Sequence, residues 1–189
     1  MTPYRKHVMK WKDCRRCSLC KQRHRVVIAR GRVPCNVLFI GEAPGVSEDA
    51  LGKPFVGPAG KLLDKIIEQG MSITVVEDGE EDAGVISHAL TNLVCCFPRE
   101  AKESGNHEPP EEAIEACAAR LREFVELCNP DLVVRVGSLA DKWAPDFPDS
   151  HQVSILHPAA VLRMDVSKKG LAIQRTIVAL ADAVEGLGD

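Results

Sequence analysis

Four short apolar runs, each opening onto a glycine-, proline- or cysteine-bearing stretch, constrain the fold of this chain more than any other feature. They are "NVLFI" at 36–40, "HALTNLV" at 88–94, "DLVVRVG" at 131–137 and "QVSILHP" at 152–158. Runs of this length, bounded by turn residues, read as buried strands. Between them the period changes. "AGKLLDKIIEQG" (59–70) places apolar residues three and four apart and ends on glycine, which predicts a helix. "PEEAIEACAARLREFVELCNP" (110–130) is the clearest helix: a proline and two acids open it, and Asn-Pro stops it. A short helix is expected from Ser138 and a final one over 168–184. Strands alternating with helices imply an α/β fold around a mainly parallel sheet. At 189 residues the chain suits one domain spanning 1–189, with its N-terminal 35 residues as an appended segment.

The first run ends in "GEAPGVSEDALGKPFVGPAG" (41–60), which packs five glycines and three prolines around one aromatic, Phe55. Glycine reaches dihedral angles that other residues avoid, and proline fixes φ. A loop written this way is held in one shape. It is either a tight strand-to-helix connection or a preformed pocket floor with backbone N–H groups facing a ligand. In open α/β sheets ligands sit beyond the carboxyl ends of the strands. Three candidate loops begin there, after Ile40, Val94 and Leu156.

Charge is unevenly spread. The formal net charge is −3, yet residues 1–34 hold eleven of the 24 Lys and Arg and a single acid, Asp13. This predicts a basic face around the N-terminal segment and an acidic remainder. No apolar run approaches the length of a membrane span, and "MTPYRKHVMKWKDC" has no signal-peptide core. A cytoplasmic protein without membrane association is therefore expected.

Eight cysteines without an export signal point to metal or cluster ligation rather than disulfides. "CRRCSLC" sets Cys14, Cys17 and Cys20 in one turn-rich stretch. A C-x-x-C pair grips one metal or two corners of a cluster, and zinc and iron–sulfur sites both use it. Spacing leaves both open. Two more ligands must come from Cys35, Cys95, Cys96, Cys117 and Cys128, of which Cys128 also suits a core position.

Taken together, "CxxCxL", "VLFIGEAPGVSEDALGKPFVGPAGKLLD", "TNLVCC", a helical "AC" and "HPAAVLR" resemble the iron–sulfur uracil-DNA glycosylases, the fourth family of their superfamily. The resemblance runs from Cys14 to about Arg163. It implies a three-layer α/β/α domain with a four-stranded sheet. It also implies a monomeric repair enzyme that flips uracil out of single- or double-stranded DNA and hydrolyses its N-glycosidic bond. By position, Cys14, Cys17, Cys96 and Cys117 would bind a 4Fe–4S cluster of structural role, with Cys95 the competitor to Cys96. Gly41, Glu42, Ala43 and Gly45 would wall the uracil pocket, and Phe55 would stack on the base.

The chemistry of the remaining residues suits that assignment. The amide of Asn92 can accept from uracil N3–H and donate to O4, whereas cytosine reverses both polarities. His157 is placed to donate to O2, where negative charge develops as the base departs. Glu42 or Glu48 would orient water or stabilise the cationic sugar, with Glu48 assigned to shaping the pocket and contacting uracil. Val161 or Leu162 would wedge into the base stack, and Arg163 would hold a phosphate. Two stretches, 74–88 and 99–107, are longer than the family pattern. His107 lies in the second, and a related branch captures uracil DNA covalently through a histidine in this region. Covalent capture, or DNA binding without turnover, is the alternative function; a zinc-dependent nucleotide enzyme is a third.

Overall fold

The computed structural model describes residues 1–71, 86–99 and 108–187. The two long stretches singled out above, and His107, lie largely or wholly outside those residues. In chain order the elements are α1 (Pro3–Trp11), a 3-10 turn (Ser18–Lys21), β1 (Arg30–Gly31), β2 (Val37–Gly41), α2 (Val46–Leu51), α3 (Pro58–Gly70), β3 (His88–Asn92), α4 (Glu111–Cys128), β4 (Leu132–Val136), α5 (Ser138–Trp143), β5 (His151–Ile155), α6 (Pro158–Arg163) and α7 (Val166–Glu185).

All four expected strands form, and they are parallel. The sheet has a fifth member: its order is β1-β3-β2-β4-β5, with β1 antiparallel to β3. The expected four-stranded sheet is thus a five-stranded mixed one. β1 escaped the sequence because it is two residues long and has no apolar pattern; its pairing of Arg30 with Leu90 and Gly31 with Ala89 defines it.

Side chains alternate across the strands, so each face has its own core. Val37, Phe39, Leu90, Leu132 and Val134 pack with Leu63, Ile66 and Ile67 of α3 and Leu180 of α7. Leu38, Ile40, Ala89 and Val133 pack against Leu121, Phe124, Val125 and Cys128 of α4. Helices therefore cover both faces, as parallel strands require. α3 buries Leu63, Ile66, Ile67 and Gly70, the spacing of one helical face, behind Pro58 in its first turn. α4 ends where Asn129 takes a left-handed conformation, φ 46°, and Pro130 follows. α1 was not foreseen. It docks on α4, where Lys10 Nζ and Trp11 Nε1 both donate to Glu123 at 2.6 and 3.1 Å. No helix among the described residues is long and apolar enough to cross a membrane.

This topology sets the carboxyl ends of β2 and β3 side by side, with Gly41 paired to Asn92. β4 and β5 end next to them, at Gly137 and Ile155, joined by Gly137 N–H donating to Ile155 O at 2.9 Å.

Candidate active site

Four sequence candidates meet at these strand ends. Gly41 is the point of closest approach: a Cβ there would lie 2.4 Å from Phe55 Cζ and 2.5 Å from Asn92 Oδ1. Only a residue without a side chain lets the ring and the amide come this close. The rings of Phe55 and His157 have centroids 6.5 Å apart, tilted by 32°. His157 follows β5 and leans on Gly137, whose φ of 92° belongs to the glycine-favouring region and whose absent Cβ would meet His157 Cβ at 2.8 Å. Phe55, Asn92 and His157 thus ring one small region above the sheet edge.

Phe55 itself is strained. Its φ is +55°, a region non-glycine residues rarely adopt, and it is buried. The fold fixes that conformation with a side chain the sequence reading missed. Arg30 of β1 donates from Nε to Pro54 O at 2.8 Å and from Nη2 to Phe55 O at 3.3 Å, and its Nη2 also meets Asp64 Oδ1 at 2.5 Å.

His157 has a defined tautomer. Its Nδ1 accepts from Ala159 N–H at 3.1 Å, so in the neutral ring the proton sits on Nε2. Burial, and then the Arg163 cation, hold its pKa below the usual histidine value, which keeps the ring neutral. A neutral imidazole with Nε2–H is a donor.

Glu42 is half-buried just past β2. Burial raises its pKa, the nearby Glu108 raises it further, and Arg163 opposes both. Glu108 had no place in the sequence reading. Ala43 packs beside the cysteine-bearing group described below. Glu48 is tied into the glycine-rich loop. It is 9% exposed, and its carboxylate accepts three backbone N–H groups: Gly45 at 3.0 Å on Oε2, and Val56 and Gly57 at 2.9 and 2.7 Å on Oε1. It lies in the first turn of α2, and its bond to Gly45 is half of a capping box. These bonds make Glu48 a strut across the glycine-rich loop. The adjacent Asp49, also buried, accepts from His24 N–H at 2.9 Å, Arg25 N–H at 3.2 Å and the His24 ring at 2.6 Å, pinning the basic segment to α2.

α6 replaces the expected loop after His157. Its burial separates the two wedge candidates: Val161 is enclosed, whereas Leu162 and Arg163 are at the surface.

The cysteines divide cleanly. Cys96 and Cys117 sit in one apolar group with Leu19, Val94 and Ile114, and Cys17 packs against it. Cys14 is held to the same place by Arg23, which donates from Nη2 to Cys14 O at 2.6 Å and from Nη1 to Cys96 Sγ at 3.3 Å. Cys95 points elsewhere, its thiol toward Ile28 O at 3.9 Å. Cys35 and Cys128 are buried in the α4 core, where Cys35 N–H donates to Cys128 O at 3.0 Å. Burial pushes the Cys96 thiol up to about 12 against the pull of Arg23, so a cation would be needed to deprotonate it. Among the described residues no three His, Cys, Asp or Glu side chains converge on a single metal ion. Arg15, Arg16 and Lys21 line a groove of about 440 Å³ beside Cys17, Cys20 and Glu112.

The model of the uracil DNA glycosylase superfamily matches residues 28–181. The chain belongs to that superfamily. The chain is 36% identical over 126 residues to the type-4 uracil-DNA glycosylase of Saccharolobus solfataricus, covering 67% of this chain and 51% of that protein. To the type-4 enzyme of Thermotoga maritima it is 34% identical over 144 residues, 76% and 65% of the two chains. To that of Archaeoglobus fulgidus it is 33% identical over 131 residues, 69% and 58%. The chain thus spans between half and two thirds of the length of these relatives. As a member of the uracil-DNA glycosylase superfamily it has its strand-end residues where an α/β fold places ligands, and the match takes in Glu42, Phe55, Asn92 and His157 but begins after Cys14, Cys17 and Cys20.

Proposed function

We propose that this chain excises uracil from DNA, hydrolysing the N-glycosidic bond and leaving an abasic site. The observation that carries the reading is the meeting of Phe55 and Asn92 at the bare Cα of Gly41, with a tautomer-fixed His157 beside the Phe55 ring. A base buried in a duplex must be everted to reach such a site. The Phe55 ring supplies a stacking surface. The Asn92 amide reads N3–H and O4 in the polarity of uracil and opposes that of cytosine. His157 Nε2–H donates to O2 as negative charge builds on the leaving base, the logic of an oxyanion hole. Donation from a neutral ring needs no proton from solvent and leaves the ring unchanged after departure. Glu42, ionised, stabilises the cationic sugar and orients the attacking water. Leu162 wedges at the vacated position, Arg163 holds a phosphate, and the groove of Arg15, Arg16 and Lys21 follows the backbone.

Cys14, Cys17, Cys96 and Cys117 would hold a 4Fe–4S cluster. Cys17, Cys96 and Cys117 gather in one apolar group, and Arg23 ties the Cys14 backbone to Cys96. When bound, the cluster would supply iron–thiolate links joining the basic segment, the end of β3 and α4. The protein would act as a monomer on single- or double-stranded DNA.

The deciding experiment incubates the protein with uracil-containing single- and double-stranded oligonucleotides and separates the products. Catalytic release of uracil with alkali-labile abasic DNA is expected. An adduct that survives denaturing detergent, or binding without release, would refute turnover.

A further inference from the structure

The buried stripe of α4 contains one residue that does not belong to an apolar face. Arg120 is 1% exposed, in phase with Cys117, Leu121 and Phe124. Its guanidinium makes three hydrogen bonds, all to the end of β3. Nη1 donates to Thr91 Oγ1 at 2.9 Å; Nη2 donates to Asn92 O at 2.5 Å and to Leu93 O at 2.9 Å. Thr91 Oγ1 passes the chain on, donating to Ile28 O at 2.7 Å. Nε has no partner among the described residues. An arginine with no carboxylate at its fork among the described residues, buried with one donor unpaired there, is costly for stability alone. A leucine or methionine would fill the stripe more cheaply. The geometry gives the cation another use: its Nη2 reaches two consecutive carbonyls and its Nη1 the Thr91 hydroxyl, at the point where β3 turns into the site.

We propose that Arg120 is a positioning residue for base recognition, fixing the backbone of Asn92 and Leu93 so that the Asn92 amide faces the everted base in one orientation. This rests on the reading of the site as a uracil pocket. An amide distinguishes uracil from cytosine only while its O and N ends are held. The side chain of Asn92 is short, so its aim follows its backbone. Two carbonyls held by one nitrogen, with the Thr91 hydroxyl held by the other nitrogen of the same rigid guanidinium, leave the backbone between them little rotation. Lysine keeps the charge and cannot span both carbonyls and the threonine hydroxyl in that geometry. Because Cys117 lies one turn before Arg120 on α4, the same helix carries both a cysteine of the thiol group and the clamp on the base-reading strand.

The test compares the wild type with Arg120→Lys, Arg120→Met and Thr91→Val on uracil-containing single-stranded DNA, with cytosine-containing DNA as the competing substrate. Thermal unfolding and iron content are measured on every protein. For Arg120→Met and Arg120→Lys the expected result is a kcat lower by roughly 10- to 100-fold, the weight of a lost charge-assisted hydrogen bond to the site. KM for DNA is expected to stay within about twofold, because no DNA contact is touched. The uracil-over-cytosine ratio should narrow in both, and Thr91→Val should move kcat the same way by less. Folded Arg120→Met with wild-type kcat and discrimination would overturn the role. If the Arg120 variants fail to fold, Thr91→Val decides: an unchanged kcat with unchanged discrimination overturns the proposal. A wild type that leaves uracil in place would refute the functional reading and this role with it, whereas an active wild type beside an equally active Arg120→Met refutes the role alone.

Discussion

Glu48→Gln separates a strut from a catalyst. In the native loop one carboxylate satisfies Gly45, Val56 and Gly57, and Gly45 and Gly57 are buried. Glutamine has one carbonyl oxygen. Turned to keep Val56 and Gly57, it presents its NH₂ to the Gly45 N–H, so two donors face each other. Turned the other way it loses two bonds. The first arrangement is the cheaper, and one lost bond to a charged acceptor with a buried donor left unpaired costs about 1.5–3 kcal/mol. For a chain of this length each kcal/mol lowers Tm by roughly 2–4 °C, so a fall of about 3–12 °C is expected. Glu48→Ala loses all three acceptors and should fall further. The excision rate should drop with Glu48→Gln because Phe55 directly precedes Val56 and Gly57, which the strut holds, and a reacting geometry displaced by about 1 Å costs on the order of 100-fold. The assay is thermal unfolding by circular dichroism together with single-turnover excision across the pH range. A strut lowers Tm and lowers the rate by the same factor at every pH. Unchanged Tm with loss of the acidic limb of the rate profile would refute this reasoning and return Glu48 to the role of base.

The other expectations concern the thiols, the pocket floor and its field. Cys96→Ser should remove the visible absorbance of an iron-loaded protein while Cys95→Ser keeps it, since the Cys95 thiol faces Ile28 O instead of the other cysteines; the reverse in absorption spectra would reassign the ligand. Gly41→Ala puts a methyl within 2.5 Å of both Phe55 and Asn92, and should cost roughly 100-fold in excision for about 1–3 kcal/mol of stability, read by steady-state rates and melting curves. Arg163→Ala removes a cation that lowers the pKa of both Glu42 and His157. Both values then rise. Because the proposed mechanism uses Glu42 ionised and His157 neutral, the acidic limb of the pH–rate profile should move to higher pH, and the salt dependence of DNA binding should become shallower.

Much of the frame was legible because it rests on patterns within single elements. The four parallel strands, α3, α4 and α7 each carry their own period and their own stop signals, and their order alone predicts where ligands gather. Gly41, Phe55, Asn92 and His157 were legible for a second reason: each falls at a strand end or within the stiffened loop. What escaped belongs to pairs of elements. β1 has no period in two residues and exists only as a partner of β3. α2 was hidden by the glycines and prolines around it, whose count reads as loop although six residues between them are helical. Glu48 carried no sign of its partners, because its three acceptor bonds return partly across eight and nine residues.

Arg120 is the instructive case, since its signal was present and was passed over. The heptad-like spacing of Ala113, Cys117, Leu121, Phe124 and Cys128 puts position 120 on the buried face, and a cation there has to find acceptors inside the protein. The same holds for the basic N-terminal segment. Its charge excess suggested a surface for DNA, yet Arg23, His24 and Arg30 are used within the fold, tying the thiol group, α2 and the Phe55 turn to one another. Arg15, Arg16 and Lys21 remain to line the open groove. Counting charge therefore overstated the interface, because arginine serves carbonyl oxygens as readily as phosphate: both present acceptors to the same planar fork. A basic run next to a glycine-rich loop is as much a set of internal clamps as a binding surface, and only the acceptors that each guanidinium meets tell the two apart.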